Sequence, residues 1–396
     1  VSVRARLATA FLLACSLACN GCSSSTGPSA TPGPDSGSDD GAGFDGGVPP
    51  GDSSPPDAST PDADASSVVP GGVRFLGRVD TSNPTTPKFA WSATGLVATV
   101  GGAKISVKLA SEGSDAFFQP VVDGTPGTRF SVANGMTQTV TLATGLAAGD
   151  HTVELYRESE GMFGDSVFLG FVDGTLIGAP ASSGRLIEVI GDSISAGYGN
   201  LGMETHPPWT NTCMFSLATE SAYASYASVL GRSLNAEVSI LAHSGWGMVR
   251  DLGGSTSGVL SSIYDDTLGT QASPKWAFAR TADAVVINLG TNDSGPGDPG
   301  KPYEDAYVAF LKTIRGHYPN AWIFLTLGPM TADPMLTTMR THLANVVAAA
   351  ADARVMTVNI DTQDATSTGC DYHPNVAEDT KMAQALVPTM RGKLGW

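Results

Sequence analysis

Leu186-Ile187-Glu188-Val189-Ile190-Gly191-Asp192-Ser193-Ile194-Ser195-Ala196-Gly197-Tyr198-Gly199-Asn200 is the stretch that decides how this chain is read. A short apolar run stops at Gly191-Asp192-Ser193, as a buried parallel strand stops at a loop that holds a serine above its sheet. Open α/β sheets present reactive groups at that edge. Taken alone, the same residues also read as a helix start, because Asp and Ser both cap helices. The rest of the chain has to separate the two readings.

Downstream, from Arg185 to Trp396, apolar runs alternate with amphipathic segments, the pattern of a parallel sheet covered on both faces. The runs Val238–Leu241, Ala284–Leu289, Trp322–Leu327 and Val355–Val358 predict further strands. Helices are expected from a cap at Thr219 or Ser221 to Leu234, over Glu304–His317, over Pro334–Ala351 and over Asn375–Lys393. This predicts a flavodoxin-like three-layer α/β/α domain over residues 185–396. A parallel sheet brings the carboxyl ends of its strands to one edge. Four loops should therefore converge on one cleft: Gly191-Asp192-Ser193, His243-Ser244-Gly245-Trp246-Gly247, Gly290-Thr291-Asn292-Asp293 and Gly369-Cys370-Asp371-Tyr372-His373-Pro374-Asn375.

Upstream, residues 71–180 hold short β-rich runs punctuated by Gly101-Gly102 and Asp123-Gly124, which predicts an all-β sandwich of jelly-roll type. Phe163, Phe168 and Phe171 read as an edge leading into the next domain, and Trp91, Phe117 and Phe118 as core or as rings for stacking on sugar. Residues 23–70 are Pro, Gly, Ser, Thr, Asp and Ala with almost no large apolar side chain, the composition of a disordered linker. Residues 1–22 read as a signal peptide, with Arg4 and Arg6 ahead of the apolar run Leu7–Ala14. Both Leu12-Leu13-Ala14-Cys15 and Ser16-Leu17-Ala18-Cys19 resemble a bacterial lipoprotein processing site. The expectation is an exported protein, either secreted or lipid-anchored on the cell envelope. In an oxidising compartment Cys213 and Cys370 are candidates for one disulfide, or else two separate buried thiols. The net charge of −16, with no cluster of Lys or Arg, excludes a phosphate-binding surface and hence nucleic acid as a partner.

In order and spacing the four loops resemble the SGNH hydrolase superfamily, also called GDSL, named for its Ser, Gly, Asn and His. The preceding jelly roll, Ile187-Glu188-Val189-Ile190-Gly191-Asp192-Ser193 and Gly369-Cys370-Asp371-Tyr372-His373-Pro374 are similar to carbohydrate esterase family 2. The resemblance spans about Gly71 to Trp396 and implies removal of acetyl groups from plant polysaccharides such as xylan and glucomannan. Ester cleavage needs a nucleophile, a base and donors for the oxyanion. Ser193 is the expected nucleophile and His373 the expected base. The Ser193 and Gly245 backbone N–H groups and the Asn292 amide are the expected oxyanion donors. Gly247 is an alternative to Gly245, and the resemblance favours 245. Asp371 is the expected acid, although one residue rather than the superfamily's usual two separates it from His373. On an extended segment the two would share a face; otherwise a backbone carbonyl orients the imidazole. Asp192 and Asp293 read as holders of backbone N–H groups.

Trp246, Tyr372 and Trp209, with Tyr198, lie in or beside these loops and read as platforms for a sugar ring or as packing. The six histidines show no metal-ligand spacing, so neither metal nor other cofactor is expected. A monomer acting on acetylated polysaccharide or oligosaccharide is the leading expectation. A lysophospholipase or thioesterase on the same scaffold and an inactive surface sugar-binding protein are the other two readings.

Overall fold

A computed structural model describes residues 68–69, 72–205, 212–269 and 271–396. The expected signal segment, and the expected linker up to residue 67, lie outside the described residues. Val68–Val69 corrects the expected linker boundary: this β-branched pair forms a strand, with Val68 opposite Arg74 and Val69 opposite Val73.

Antiparallel strands of four or more residues build the N-terminal half: β1 Val73–Leu76, β2 Gly95–Glu112, β3 Ala116–Val122, β4 Thr137–Thr144, β5 Asp150–Arg157 and β6 Asp165–Gly178. The strand β2 organises the sandwich. Where the sequence suggested a turn at Gly101-Gly102, the chain continues through, bending with Gly102 at φ 127°. Its first half pairs with β1 and β5, its second half with β4, and β6 runs along both. Alternate residues from the two halves, Leu96, Ala98, Val100 and then Ile105, Val107, Leu109, share one core with Phe118 and Leu155. Phe168 is not an edge residue: it lies within β6, edge-to-face with Phe75 in this core.

The second half carries a parallel sheet of β7 Leu186–Gly191, β8 Glu237–Ala242, β9 Ala284–Asn288, β10 Trp322–Thr326 and β11 Val355–Thr357, in the order β8-β7-β9-β10-β11. Among the described residues six α-helices follow its strands: α1 Ser193–Ala196, α2 Tyr226–Leu234, α3 Thr291–Ser294, α4 Gly300–His317, α5 Met335–Ala350 and α6 Val376–Leu394. Successive strand residues face opposite layers. Ile187 and Val189 pack under α2 and α6 with Tyr226, Leu230, Met382 and Leu386. Leu186 and Ile190 pack under α4 and α5 with Tyr303, Phe310, Leu336 and Met339.

Glu188 shares the second of these faces and is fully buried mid-strand. Its carboxylate accepts from Arg78 of the β-half at 3.1 Å, from the Tyr264 hydroxyl at 2.7 Å and from the Tyr318 hydroxyl at 3.1 Å. The guanidinium stacks on Phe278 and Tyr264 and also donates to two backbone carbonyls. Trp91, expected as core or as a sugar platform, is core: it is 1% exposed and packs within the α/β layer. The two halves form one compact unit.

Candidate active site

In this strand order β7 lies between β8 and β9, so the loop after β7 emerges with the other two loops on either side of it. Such a switch point is where open α/β sheets bind ligands. Ser193 is the first residue of α1, and Asp192 caps that helix by accepting the Ile194 N–H at 3.0 Å. The expected nucleophile and the helix start are thus the same residue.

The His373 loop reaches Ser193 from the other end of the chain. Asn375 caps α6 through the Glu378 N–H at 3.0 Å. The Gly369 N–H closes on the His373 carbonyl at 2.7 Å, and a disulfide joins Cys370 to Cys213. His373 Nε2 then stands 2.8 Å from Ser193 Oγ, and Nδ1 stands 3.1 Å from the Asp371 backbone carbonyl. A carbonyl only accepts, so Nδ1 carries the hydrogen and Nε2 offers its lone pair to the serine hydroxyl. Burial pushes the imidazole pKa down to about 4, against the opposing pull of the Asp371 carbonyl and carboxylate. At neutral pH the base is uncharged and ready to accept a proton.

The expected role of the Asp371 carboxylate needs correction. Asp371 and Tyr372 both sit in the left-handed region, at φ 50° and 62°, so the shared face of an extended strand does not arise. The turn aims the Asp371 carbonyl at the imidazole. The carboxylate instead accepts from the Phe215 N–H at 2.9 Å and the Tyr198 hydroxyl at 3.1 Å. Tyr198 stacks on Phe215 at 4.0 Å and lies 4.3 Å from the imidazole ring, so the carboxylate steadies the aromatic wall beside the base.

The oxyanion loop follows β8. Among the described residues neither the Ser193 nor the Gly245 N–H meets a protein acceptor, so both remain available to an incoming oxygen. Gly245 has φ 79°, and a Cβ there would meet no protein atom within 4 Å. Backbone conformation, rather than crowding, is what requires glycine. Gly247 is set aside: its N–H points to the Gly258 carbonyl at 3.4 Å, and a Cβ would strike Asp293. The Asn292 amide donates to the Trp246 carbonyl at 2.8 Å and reaches Asp192 Oδ2 at 3.3 Å. Asp293 accepts the N–H groups of Met248, Val249 and Arg250. Burial pushes Asp192 up to about 7, with Asp293 and Glu160 adding to the effect.

Trp246 stacks on His243 at 3.9 Å, and Tyr372 is partly exposed. Trp209 lies outside the described residues. Phe215 near His373, and Glu160 and Ser244 beside the loop after β8, are the neighbours to which sequence reasoning assigned no role in the site; Tyr198, expected as a sugar platform or as packing, packs beside the imidazole. Glu158-Ser159-Glu160 was visible as closely spaced acids after a strand, but nothing in the spacing says that Glu160 crosses to Ser244. Among the described residues no group of three or more His, Cys, Asp or Glu side chains is placed to hold a metal ion.

The family model for the carbohydrate esterase 2 N-terminal domain matches residues 75–180, and that for the GDSL-like lipase/acylhydrolase family matches residues 189–377. Cellulase/esterase CelE of Acetivibrio thermocellus is 37% identical over 333 residues, covering 82% of this chain but 40% of that protein. The chain thus spans about two fifths of that relative. An acetylxylan esterase / glucomannan deacetylase of Cellvibrio japonicus is 25% identical, covering 82% of this chain and 89% of the relative. Among solved structures, a family two carbohydrate esterase from Clostridium thermocellum in complex with cellohexaose is 36% identical with a TM-score of 0.77, covering 82% of this chain and all of that one.

Proposed function

Because this chain belongs to carbohydrate esterase family 2, we propose that it is an exported serine esterase that removes O-acetyl groups from plant polysaccharides such as xylan or glucomannan. The observation that carries the reading is the 2.8 Å contact between Ser193 Oγ and a neutral His373, beside the Ser193 and Gly245 N–H groups, which meet no acceptor among the described residues. Ser193 Oγ attacks the acetyl carbonyl as its proton passes to His373 Nε2. The resulting oxyanion takes hydrogen bonds from the Ser193 and Gly245 N–H groups. A hydrogen of the Asn292 amide turns to the same oxygen from its longer contact, that to Asp192. His373 then protonates the departing sugar oxygen, and water releases acetate from the acyl-serine by the same steps. Each oxyanion donor is worth roughly 10²- to 10³-fold in kcat.

Arg4, Arg6 and the apolar run Leu7–Ala14 support export, as does the bond between Cys213 and Cys370, since disulfides persist in oxidising compartments. The relatives named for acetylxylan and glucomannan support the substrate class. The test measures acetate release from acetylated xylan and glucomannan beside hydrolysis of nitrophenyl acetate and nitrophenyl octanoate, with Ser193→Ala as control. Acetate release that disappears in the control, with acetate preferred over octanoate, is expected. A preference for octanoate with no release from either polymer would instead favour a lipid or thioester substrate, and absence of any Ser193-dependent hydrolysis would mark a binding protein.

A further inference from the structure

The catalytic loops come from the α/β half, yet one of them is held by a carboxylate from the β-half. Glu160, three residues past β5, is fully buried. Its Oε2 accepts the Ser244 backbone N–H at 2.7 Å, and its Oε1 accepts the Ser244 hydroxyl. Ser244 precedes the oxyanion glycine. The Ser244 carbonyl is taken in turn by His243 Nδ1 at 3.0 Å. A peptide's C=O and N–H point in opposite directions, so fixing that carbonyl turns the Gly245 N–H away from the ring. The His243–Ser244 peptide, held by Glu160, and the Ser244–Gly245 peptide, which carries the Gly245 N–H, are therefore both fixed.

We infer that Glu160 is a positioning residue for the oxyanion hole, through which the β-half sets the direction of the Gly245 N–H. The inference rests on the esterase reading of Ser193. It does not depend on which sugar is deacetylated.

The groups around Glu160 match such a clamp. Glu220, also fully buried, stands close enough to Glu160 for the two carboxyl groups to oppose each other's ionisation. Asp192 faces it from the nucleophile loop, and Arg157 lies beside Glu220 and donates to the Glu160 carbonyl at 3.4 Å. Neighbouring Glu158 is occupied elsewhere, by Arg129, Ser221 and the Tyr223 N–H. Burial raises both Glu160 and Glu220 above the ordinary carboxylate range. The two donors from Ser244 favour the charge on Glu160, leaving the proton on Glu220. A charged Glu160 accepts both Ser244 donors, whereas a protonated one has to use one oxygen as a donor.

The test compares Glu160→Met, Glu160→Gln and Ser244→Ala with wild type on nitrophenyl acetate, with Ser193→Ala as background. Met fills the volume without an acceptor, and its kcat should fall about 10- to 100-fold, less than loss of a whole donor, while KM stays within about twofold. Gln still accepts the Ser244 N–H, so its kcat should stay within about threefold of wild type. Ser244→Ala, which loses only the hydroxyl contact, should lose a few-fold in kcat at unchanged KM. Amide exchange across His243–Trp246 should quicken in Glu160→Met and not in Glu160→Gln. A folded Glu160→Met with wild-type kcat and exchange would overturn the inference, and so would a Glu160→Gln as slow as Glu160→Met. Should Glu160→Met fail to fold, an unchanged kcat in Ser244→Ala together with unchanged amide exchange across His243–Trp246 in that variant would overturn it equally. Since the assay contains no polysaccharide, an error in the substrate reading would leave these outcomes unaffected.

Discussion

At the scale of single residues, the imidazole of His373, the proposed base, is oriented by a main-chain atom. His373 Nδ1 meets the carbonyl of Asp371, while that residue's carboxylate holds Phe215 and Tyr198. Asp371→Asn should accordingly be mild. Asn tolerates the left-handed backbone and still presents an oxygen to Phe215, so the carbonyl stays in place. The kcat on nitrophenyl acetate should fall by less than about tenfold, where loss of a true triad carboxylate costs about 10⁴-fold. A loss of a thousandfold or more in a folded variant would return the role to the carboxylate. That Ser193, Gly245, Asn292 and His373 meet at one edge could be read because each follows an apolar run, and strand ends share an edge. Which of the two readings of Asp371 applies, carboxylate or backbone carbonyl, depends on a positive φ that the one-residue spacing conceals. Glu160 went unassigned because its partner lies 84 positions away in the other half of the chain.

At the scale of elements, strands and helices of the α/β half were legible from apolar runs and their spacing, with boundaries shifted by a few residues. The exceptions have local causes. The helix expected from Thr219 or Ser221 starts instead at Tyr226, because Ser221 turns its hydroxyl to Glu158 and the chain makes a separate short turn at Leu217–Thr219. What the pattern could not show is how helices are fastened to one another. His342 on α5 lies between Glu304 of α4, at 2.8 Å from Nδ1, and Asp298 just before α4, at 2.9 Å from Nε2. Burial pulls its pKa down, but the two carboxylates outweigh that, and the pKa stands above the ordinary value. A folded-state pKa raised above the unfolded one stabilises fully below the unfolded value, near 6.5, and the contribution is lost as pH rises through the folded value. Wild type should therefore exceed His342→Ala in urea midpoint most at about pH 5.5, where the imidazole is charged in both states, and the margin should narrow towards about pH 9. A margin independent of pH would mean that His342 acts through packing alone.

At the scale of the whole molecule, the β-half completes the core of the catalytic half. Glu188 stands mid-strand in β7, in the same stretch that carries Ser193, and a lone carboxylate there would be costly to bury. Arg78 reaches it from the β-half, and the hydroxyls of Tyr264 and Tyr318 supply its remaining hydrogen bonds. In the sequence Glu188 was simply one polar residue in an apolar run, because the arginine that accounts for it is 110 positions upstream. Removing one partner of a buried ion pair typically costs about 3–5 kcal/mol, since the other charge is left without compensation, whereas replacing both can be nearly neutral. Against a usual total of about 5–15 kcal/mol, such a loss is large. Arg78→Met should thus lower unfolding free energy by about 3–5 kcal/mol in urea titrations. Combining it with Glu188→Gln, which removes the charge but keeps an acceptor for both tyrosines, should recover more than half of that loss. If the double variant is as unstable as Arg78→Met, then the arginine's stacking on Phe278 and Tyr264, and not the charge on Glu188, is what binds the halves together.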